Sequence, residues 1–418
     1  MRRIETVPIR VPLGRVYRGS FYEMTHRSTI VTRVFTDEGI VGEAYAGDED
    51  AGLLEIDAII HQEIAPRLIG ADAMANERCW ELSRETTFNI LRDRRLGLVA
   101  QACVDTALWD AIGKALGQPL HKLWGGYRDT VPVICIGGYY DGAQTIAEEV
   151  AELQQRGVAG MKFKVGGRDP QTDARRFHEA RAAGGPEFVL AADANQGWTR
   201  EDAIAFARLV EGADLRWFEE PCHWHNDRRA MADVRSIGGV PVCAGQSEFS
   251  AAGCRDLMVD RAIDVCNFDA SWSGGPTEWR RVAAMSLSFD VAMGHHEEPQ
   301  VAAHLIASIS NGTYVECFHP DRDPIWWNLI ANRPALVDGQ IRLPTGPGLG
   351  WELDEDYLER YRVPRPCGAS RPARPRSASS RRWGCRWSAS CAATHPRSGR
   401  SATSRRPRSR SRPTGSAR

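Results

Sequence analysis

From Val131 onward, short apolar segments alternate with amphipathic helical segments, and this alternation restricts the possible fold more than any other feature of the chain. Near-continuous apolar strands separated by helices are typical of a parallel sheet with helices packed outside it. Eight such strands in about 190 residues match a (β/α)8 barrel, with the eighth helix replaced or displaced. The predicted strands begin near residues 131, 160, 188, 215, 240, 263, 290 and 313, and the predicted helices cover 143–157, 170–184, 199–212, 226–237, 250–259, 275–288 and 299–310.

The first 125 residues have a different pattern, which predicts a mixed α+β unit. A strand-like stretch beyond the barrel pattern, Gln340–Leu343, is expected to return to this first unit. In the first unit the predicted strands are Ile4–Val11, Ser28–Phe35 and Ile40–Tyr45, and the predicted helices cover 51–64, 75–88 and 97–115.

Residues 365–418 differ in kind from the rest of the chain. They contain 15 arginines, no lysine and no acidic residue, whereas residues 1–364 contain 38 basic and 54 acidic residues. A segment rich in Arg, Ser, Pro and Ala without apolar periodicity is expected to be disordered. We interpret it either as a basic arm that binds polyanions through charge alone or, as we favour, as the product of a frameshift in a GC-rich gene or of a read-through. The acidic body argues against nucleic acid as a specific ligand.

Several classes of protein are disfavoured by composition. No apolar run approaches the roughly 18 residues that a membrane span needs, and the N-terminus lacks the apolar core of a secretory signal, so we expect a cytoplasmic protein that contacts no membrane. Eight cysteines lie before residue 365 without CxxC spacing. We expect them to be buried free thiols rather than disulfide or zinc ligands.

Polar side chains cluster at the carboxyl ends of the predicted barrel strands, where barrel enzymes place their active sites. Residues two apart on a strand point to the same face, so several of these side chains are expected to point together into the barrel mouth. In strand order, from the second to the eighth, they are Lys162 and Lys164, Asp193 and Asn195, Glu219 and Glu220, Gln246 and Glu248, Asp269, His295 and His296, and Glu316.

This assortment favours one kind of chemistry. Oxygen donors from the third, fourth and fifth strands, without Cys or His among them, suit a hard cation such as Mg²⁺. Lysine on one side and histidine on the other supply two acid/base groups. A divalent cation beside a base is the arrangement needed to remove a proton next to a carboxylate and to stabilise the resulting enediolate.

The same residues resemble those of a known family. Over residues 1 to about 360 the chain resembles the mandelate racemase subgroup of the enolase superfamily, which includes the mandelate racemase/muconate lactonizing enzyme family. The motifs that carry the resemblance are Lys162-Phe163-Lys164, Asp193 in ADANQGW, Glu219 in FEEP, Asp269 in NFDASWSGG, His296 before EEPQVAAHL and Glu316 in YVECF.

The resemblance implies an α/β fold with an N-terminal α+β capping domain (1–125), a modified TIM barrel of the (β/α)7β type (126–330) and a C-terminal segment (331–364) that returns to the capping domain. It implies Mg²⁺ held by carboxylates of the third, fourth and fifth strands, and a homo-oligomer. It also implies that Lys164, with Lys162 beside it, is one acid/base group and that His296, paired with Asp269, is the other. Glu316 would hydrogen-bond a carboxylate oxygen of the substrate.

Two choices need arguments of their own. His296 is preferred over His295 because it stands eight residues before His304, as in the family, whereas His295 points to the opposite face of the strand.

At the fifth strand, Gln246 occupies the place where the family usually has an acid. Glu248, two residues later, is therefore the favoured third ligand, alone or with Gln246; Gln246 as the sole fifth-strand ligand and loss of tight metal binding are the alternatives.

Two acid/base groups on opposite faces permit either racemisation or β-elimination. Residues Leu13–Thr29 would form the lid of the site, and their polar character, with Arg18 and Tyr22 as expected substrate contacts beside Asn195, suits a polyhydroxylated acid. We therefore favour an acid-sugar dehydratase, with a racemase or epimerase of 2-hydroxy acids as the alternative. A barrel protein that has lost catalysis is the alternative from a different class, and Gln246 is the feature that favours it. The expected partner is a small hydroxycarboxylate.

Deletion of residues 366–418 should leave the melting temperature and the Mg²⁺ affinity unchanged, because this segment has no apolar pattern with which to dock on the body. Thermal unfolding and calorimetry of the full-length and shortened proteins measure both quantities. A fall of several degrees in the shortened protein would show that the segment packs on the body.

Overall fold

The chain begins with a three-stranded antiparallel sheet whose first two strands form a long hairpin. The computed structural model describes residues 1–46, 51–140 and 142–365. Strand β1 (Arg3–Arg18) pairs with β2 (Glu23–Phe35), and β2 pairs with β3 (Val41–Ala46). These strands extend past the predicted ones, so that residues 13–29, expected to be a lid loop, are largely a continuation of the hairpin beyond a register shift between Pro12 and Tyr17.

The helices of the N-terminal region cover one face of this sheet. The longest, α4 (Arg94–Leu116), is buried along most of its length and packs on β2 and β3. Gly42 in β3 makes this packing possible, because a Cβ atom there would lie 2.1 Å from the carbonyl oxygen of Ala107. The helices are α1 (Leu53–Ile59), continued by a π-helical turn (Ile60–Ile64) into α2 (Ala65–Leu68), then α3 (Asn76–Arg84), a 3-10 turn (Glu85–Phe88), α4 (Arg94–Leu116) and α5 (Leu120–Leu123).

Eight parallel strands in the described residues form a closed barrel. Their order around the sheet is β10-β9-β8-β7-β6-β5-β4-β11, and a bridge between Met293 and Gly312 joins β10 to the chain just before β11. Closure brings the carboxyl ends of all these strands to one rim. The strands are β4 (Thr130–Gly137), β5 (Gly160–Lys164), β6 (Val189–Asp193), β7 (Leu215–Glu219), β8 (Val242–Cys243), β9 (Val265–Cys266), β10 (Ala292–Met293) and β11 (Val315–Phe318).

A helix of nine or more residues follows each of the first seven barrel strands, whereas only the six-residue α13 (Pro324–Leu329) follows β11. The fold is therefore the predicted modified TIM barrel of the (β/α)7β type, with an N-terminal α+β region. The helices are α6 (Ile146–Gln155), α7 (Pro170–Gly184), α8 (Arg200–Leu209), α9 (Asp227–Gly238), α10 (Ala251–Val259), α11 (Pro276–Ser286), α12 (Pro299–Ser308) and α13 (Pro324–Leu329), with 3-10 turns at Trp224–Asn226 and Leu287–Phe289.

The segment after the barrel corrects one expectation. Strand β12 (Gln340–Arg342) pairs antiparallel with barrel strand β4, so the prediction that Gln340–Leu343 joins the first unit is wrong. Apolar strand character alone does not specify a partner strand. The chain reaches the N-terminal sheet only later: helix α14 (Glu355–Tyr361) contacts β1, and the backbone N–H of Val363 donates to the carbonyl of Pro8 at 2.9 Å.

Three other expectations concern the cysteines, the C-terminal segment and membrane spans. The eight cysteines before residue 365 are all buried and unpaired, as predicted. Beyond Arg365, the disorder or frameshift origin expected for residues 365–418 lies outside the described residues. No helix in the described ranges is long and apolar enough to cross a membrane.

One buried arginine ties the hairpin to the barrel. Arg27 in β2 is 2% exposed, and its guanidinium donates to Glu298 at 3.0 Å and to Glu297 and Asp323 at 3.3 Å each. These carboxylates follow β10 and β11. Burial opposes the charge of Arg27, but the three carboxylates outweigh it and raise the pKa of the guanidinium. The hairpin is thus held to the barrel rim by one cation shared among three anions.

Arg27→Met should destabilise the protein by about 3–5 kcal/mol, because it leaves buried carboxylates without their cation. Arg200 provides a matched control: it pairs with Glu201 and Asp233, but its side chain is 49% exposed. Arg200→Met should change the free energy of unfolding by less than about 1 kcal/mol. Urea denaturation of both variants measures the difference, and equal losses would contradict this account of Arg27.

Candidate active site

Two buried lysines on β5 lie among the carboxylates of the neighbouring strands. Lys162 Nζ is 2.6 Å from Glu219 Oε1, 2.6 Å from Glu316 Oε1 and 3.8 Å from Asp193 Oδ2. Lys164 Nζ is 2.6 Å from the same Asp193 oxygen. The alternation of β5 puts both lysines on one face, as predicted, and closure of the barrel brings the acids of β6, β7 and β11 to them.

Asn195 joins this group because the chain turns back directly after β6. Asn195 and Gln196 have positive φ angles of 43° and 62°. The backbone N–H of Asn195 donates to Asp193 Oδ1 at 2.9 Å, and its side-chain oxygen accepts from Lys164 Nζ at 2.9 Å. The predicted Asp193–Asn195 pairing is present, although it arises from a turn rather than from strand alternation.

The carboxylates at this site carry more negative charge than the lysines balance. Burial, together with the charges of Asp193 and Glu316, raises the pKa of Glu219 to about 8 despite its contact with Lys162. The indole N–H of Trp217 supports the carboxylate by donating to its other oxygen at 3.1 Å. Glu220, also buried, has a raised pKa because of burial and the charge of Asp193. The site therefore favours an additional cation.

His296 lies across the barrel mouth from Lys164. Its Nδ1 atom is 2.8 Å from Asp269 Oδ2, and its Nε2 atom is 3.3 Å from Glu297 Oε1. Burial opposes protonation, but the charge of Glu297 and the hydrogen bond and charge of Asp269 raise the pKa of His296 to about 9. The indole of Trp272 lies beside the imidazole, with ring centroids 4.7 Å apart. His296 is therefore an imidazolium at neutral pH.

His295 has a structural environment instead. Its Nε2 atom accepts the backbone N–H of Ala270 at 3.1 Å, and its Nδ1 atom faces the carbonyl oxygen of His296 at 2.8 Å. Burial lowers the pKa of this imidazole, so it is neutral. The structure thus places His296, rather than His295, in hydrogen-bond contact with Asp269.

Glu316 is held by two contacts. One carboxylate oxygen is 2.6 Å from Lys162 Nζ, and the other accepts the backbone N–H of Glu297 at 3.1 Å. Glu297 itself was not among the predicted site residues, yet it contacts His296, Arg27 and Glu316. Burial alone would raise the pKa of Glu297, but the charges of His296 and Arg27 lower it to about 2. Its position next to His296 in the sequence was the available signal.

The fifth barrel strand gives the clearest departure from expectation. Strand β8 ends at Cys243, so the two-residue alternation does not extend to Gln246 and Glu248. Gln246 is buried; its amide nitrogen donates to Glu220 Oε2 at 3.1 Å, and its amide oxygen accepts from Asn267 Nδ2 at 3.0 Å. These contacts fix the amide beside the acids at the end of β7.

Glu248 is turned away from Asp193 and Glu219. Its backbone N–H donates to the carbonyl of Gly245 at 3.0 Å, which reverses the chain after the strand. Its carboxylate lies against Gly253 in the first turns of α10, and burial with the nearby charge of Asp227 raises its pKa. The structure therefore does not support Glu248 as the third metal ligand, because the strand that would have directed it inward has already ended.

The two predicted capping-side contacts differ in position. Tyr22 reaches the site, since its ring centroid is 5.7 Å from Lys164 Nζ. It folds back over Gly19, where a Cβ atom would lie 2.1 Å from the Tyr22 ring. Arg18 instead forms an ion pair across the hairpin, with its Nε atom 2.8 Å from Glu23 Oε1. None of the described contacts brings the Arg18 guanidinium to Lys162 or Lys164, or to the carboxylates around them.

Comparison with known proteins agrees with this fold. Residues 3–125 match the N-terminal domain of the mandelate racemase / muconate lactonizing enzyme family, and residues 145–357 match the enolase C-terminal domain-like family. The D-galactarolactone cycloisomerase of Agrobacterium fabrum is 30% identical over 85% of this chain and 96% of its own. The arabinonate dehydratase of Saccharolobus solfataricus is 27% identical over 80% of this chain and 90% of its own.

Solved structures are more similar still. A mandelate racemase/muconate lactonizing enzyme from a marine actinobacterium, in complex with magnesium, is 58% identical over 87% of this chain and 99% of its own, with a TM-score of 0.83. Fold and site together define a magnesium-dependent enzyme of the enolase superfamily. Within that superfamily, the chain belongs to the mandelate racemase/muconate lactonizing enzyme family. Its relatives include acid-sugar dehydratases, cycloisomerases, racemases and epimerases.

The residues present fit Mg²⁺. Asp193 and Glu219 supply two buried carboxylates, and the Gln246 carbonyl is a neutral oxygen donor of the kind that Mg²⁺ accepts. The raised pKa of Glu219 reflects negative charge that a divalent cation would neutralise. In the described ranges no group of three or more His, Cys, Asp or Glu side chains is arranged to hold a metal ion, so the third protein donor that we propose is the amide.

Gln246→Leu should weaken Mg²⁺ binding by about tenfold, because it removes the neutral amide oxygen that we propose as the third protein ligand. Glu248→Gln should change the affinity by less than about twofold, and Asp193→Asn should abolish tight binding. Isothermal titration calorimetry with MgCl2 compares the three variants. A larger loss for Glu248→Gln than for Gln246→Leu would assign the ligand to Glu248.

Proposed function

We propose that this enzyme dehydrates a polyhydroxylated acid: it removes the proton next to the carboxylate and expels the hydroxyl of the next carbon, giving a 2-keto-3-deoxy acid. The observation that carries the proposal is His296, an imidazolium at neutral pH held by Asp269 and Glu297 opposite Lys164. An imidazolium is a proton donor, and elimination of hydroxide needs one.

The positions of Lys164 and His296 support the assignment of Lys164 as the base and His296 as the acid. Lys164 ends β5, and His296 follows β10; strands β11 and β4 lie between them on one side of the ring and β6 to β9 on the other. A substrate centred in the mouth presents one face to each side chain. Lys164 Nζ, aimed by Asp193 and Asn195, would take the α-proton after losing its own proton to solvent. Burial opposes the charge of Lys164, but Asp193 outweighs it and raises the pKa of the ammonium, so Mg²⁺ bound at Asp193 would favour this loss.

The steps balance without a further reactant. The electron pair of the α C–H bond passes into the carboxylate system and then forms the double bond to the β-carbon as the C–O bond breaks. The leaving hydroxyl takes the proton of His296 and departs as water, and the enol product tautomerises to the keto acid. When bound, Mg²⁺ supplies charge neutralisation for the carboxylate oxygens on which negative charge develops.

Two further groups would hold the substrate carboxylate. Lys162 is fixed between Glu219 and Glu316 and remains a cation, since the charges of these acids outweigh burial and raise its pKa. Glu316, held by Lys162 and by the backbone of Glu297, would orient a protonated or hydrogen-bonded carboxylate oxygen. Neither side chain needs to move for these roles, because each already has fixed partners.

The second candidate is a racemase or epimerase of 2-hydroxy acids. The same placement of Lys164 and His296 on opposite faces would let one group remove the α-proton and the other return it. The relatives include enzymes of both kinds. In dehydration His296 must start protonated, whereas in racemisation it starts protonated for one enantiomer and neutral for the mirror image.

A screen of five- and six-carbon sugar acids with Mg²⁺ tests the proposal, with α-keto acid formation as the readout. His296→Asn should abolish product formation yet leave α-proton exchange with D2O on the face that Lys164 serves. Lys164→Ala should abolish both for the same substrate. If no sugar acid yields a keto acid but a hydroxy acid racemises, the second candidate is correct.

The pH dependence of kcat separates the two roles of His296. As a proton donor it must begin protonated, so dehydration should be lost as the pH rises through about 9. Asp269→Asn removes one of the groups that raise this pKa, so the falling limb should move to lower pH. The other charged or titratable neighbours, Glu297, Glu220, Lys162 and His295, are unchanged in this variant. A rate that rises through the same pH would make His296 a base.

A further inference from the structure

Arg322, four residues beyond β11, is a buried cation whose hydrogen-bonding capacity is largely unused. Its side chain is 2% exposed, and its Nε and Nη1 atoms are buried without a hydrogen-bond partner. The guanidinium lies over the ring of Phe318 at 4.2 Å, and the remaining nitrogen is 2.6 Å from Met24 Sδ, a weak acceptor. Burying charged N–H groups without acceptors is costly unless a partner arrives.

The lack of a carboxylate partner distinguishes Arg322 from the equally buried Arg27. Both guanidinium groups are equally buried on the same side of the barrel mouth, but Arg27 contacts three carboxylates, whereas Arg322 forms no ion pair with any described residue. Burial opposes the charge of Arg322, and Glu297 is among the groups that raise its pKa, but the Glu297 carboxylate is already shared by Arg27 and His296. The protein itself thus leaves Arg322 without an anion of its own.

Tyr139 adds a second unused donor beside it. The residue lies just after β4, its ring centroid is 6.0 Å from Arg322, and its hydroxyl is buried with no hydrogen-bond partner. Burial raises the pKa of this phenol, which is therefore an O–H donor. Arg322 and Tyr139 also border a cavity of about 500 Å³, whose wall carries Arg15 and three acids, Glu149, Glu152 and Asp321.

The order of strands around the barrel relates these donors to the catalytic groups. Arg322 follows β11 and Tyr139 follows β4, and both strands lie between β10, which precedes His296, and β5, which carries Lys164. The acids of β6 and β7, with Gln246 after β8, occupy the opposite part of the rim. A substrate whose reacting carboxylate lies at those acids would extend its far end toward Arg322 and Tyr139.

We propose that Arg322 and Tyr139 form a binding site for a second acidic group at the far end of the substrate, so that the preferred substrates are sugar diacids rather than sugar monoacids. This inference rests on the proposed function. A terminal hydroxyl could accept one hydrogen bond from the site, but only an anion also compensates the buried charge of Arg322. The diacid is therefore the class that the site selects.

The test compares matched diacid and monoacid pairs, such as glucarate with gluconate and galactarate with galactonate, on the full-length Mg²⁺-loaded enzyme. Wild-type enzyme should prefer the diacids in kcat/KM. Arg322→Gln should lower kcat/KM for the diacid by about 100-fold and for the monoacid by less than about threefold. Tyr139→Phe should give a smaller loss, of about tenfold, again for the diacid. Arg216→Gln, an exposed arginine at the opposite end of the barrel, should change neither.

The melting temperature distinguishes a role of Arg322 in substrate binding from a role in stabilising the fold. Removing an unpaired buried charge should leave the melting temperature of Arg322→Gln unchanged or higher, and the diacid should raise the melting temperature of wild type more than that of the variant. Equal losses for both acid classes, or a lower melting temperature without ligand, would overturn the inference. If no acid of either class turns over, the dehydratase proposal fails, and the diacid-dependent melting shifts still decide the role of Arg322.

Discussion

Lys162 lies between the carboxylates of Glu219 and Glu316, 2.6 Å from each, and these side chains are almost completely removed from water. Charges buried in this way interact far more strongly than at the surface, so each member restricts the others. Trp217 and the backbone of Glu297 take up the remaining carboxylate oxygens. The side chains to which we assign catalytic roles are thus positioned by contacts among themselves, and the barrel supplies the closed rim that brings them together.

Much of this arrangement could be predicted from the sequence, and the reasons are local. Lys162 and Lys164 share a face because β5 continues to Lys164, and Asp193 and Glu219 are the last residues of their strands. The same rule failed for Glu248 because β8 ends at Cys243, and no sequence signal marked that early end. Likewise, Gln340–Leu343 was recognisable as a strand, but its pairing with β4 depends on which strand edge is open in the folded chain.

The contacts that the sequence did not reveal come from residues distant in the chain. Arg27 contacts Glu297, Glu298 and Asp323, which lie 270 to 296 residues later in the sequence. The sequence around these residues gives no signal that they pair. Glu297 and Glu298 adopt positive φ angles of 52° and 44°, conformations that non-glycine residues keep only when their surroundings hold them. Their ion pairs with Arg27 provide that hold, so the backbone after His296 depends on a side chain of the N-terminal hairpin.

The hairpin of β1 and β2 has one further consequence, for how such an enzyme could change over evolution. Arg27 attaches it to the barrel, whereas Tyr22, five positions earlier and close to the tip, faces Lys164. The anchor Arg27 therefore lies on β2, whereas Tyr22 lies in the connection just before this strand. Mutations, insertions or deletions around Gly19–Tyr22 can alter the surface offered to a substrate while the anchor stays in place. Descendants of this protein could therefore change their substrate while Arg27 continues to hold the hairpin on the barrel rim.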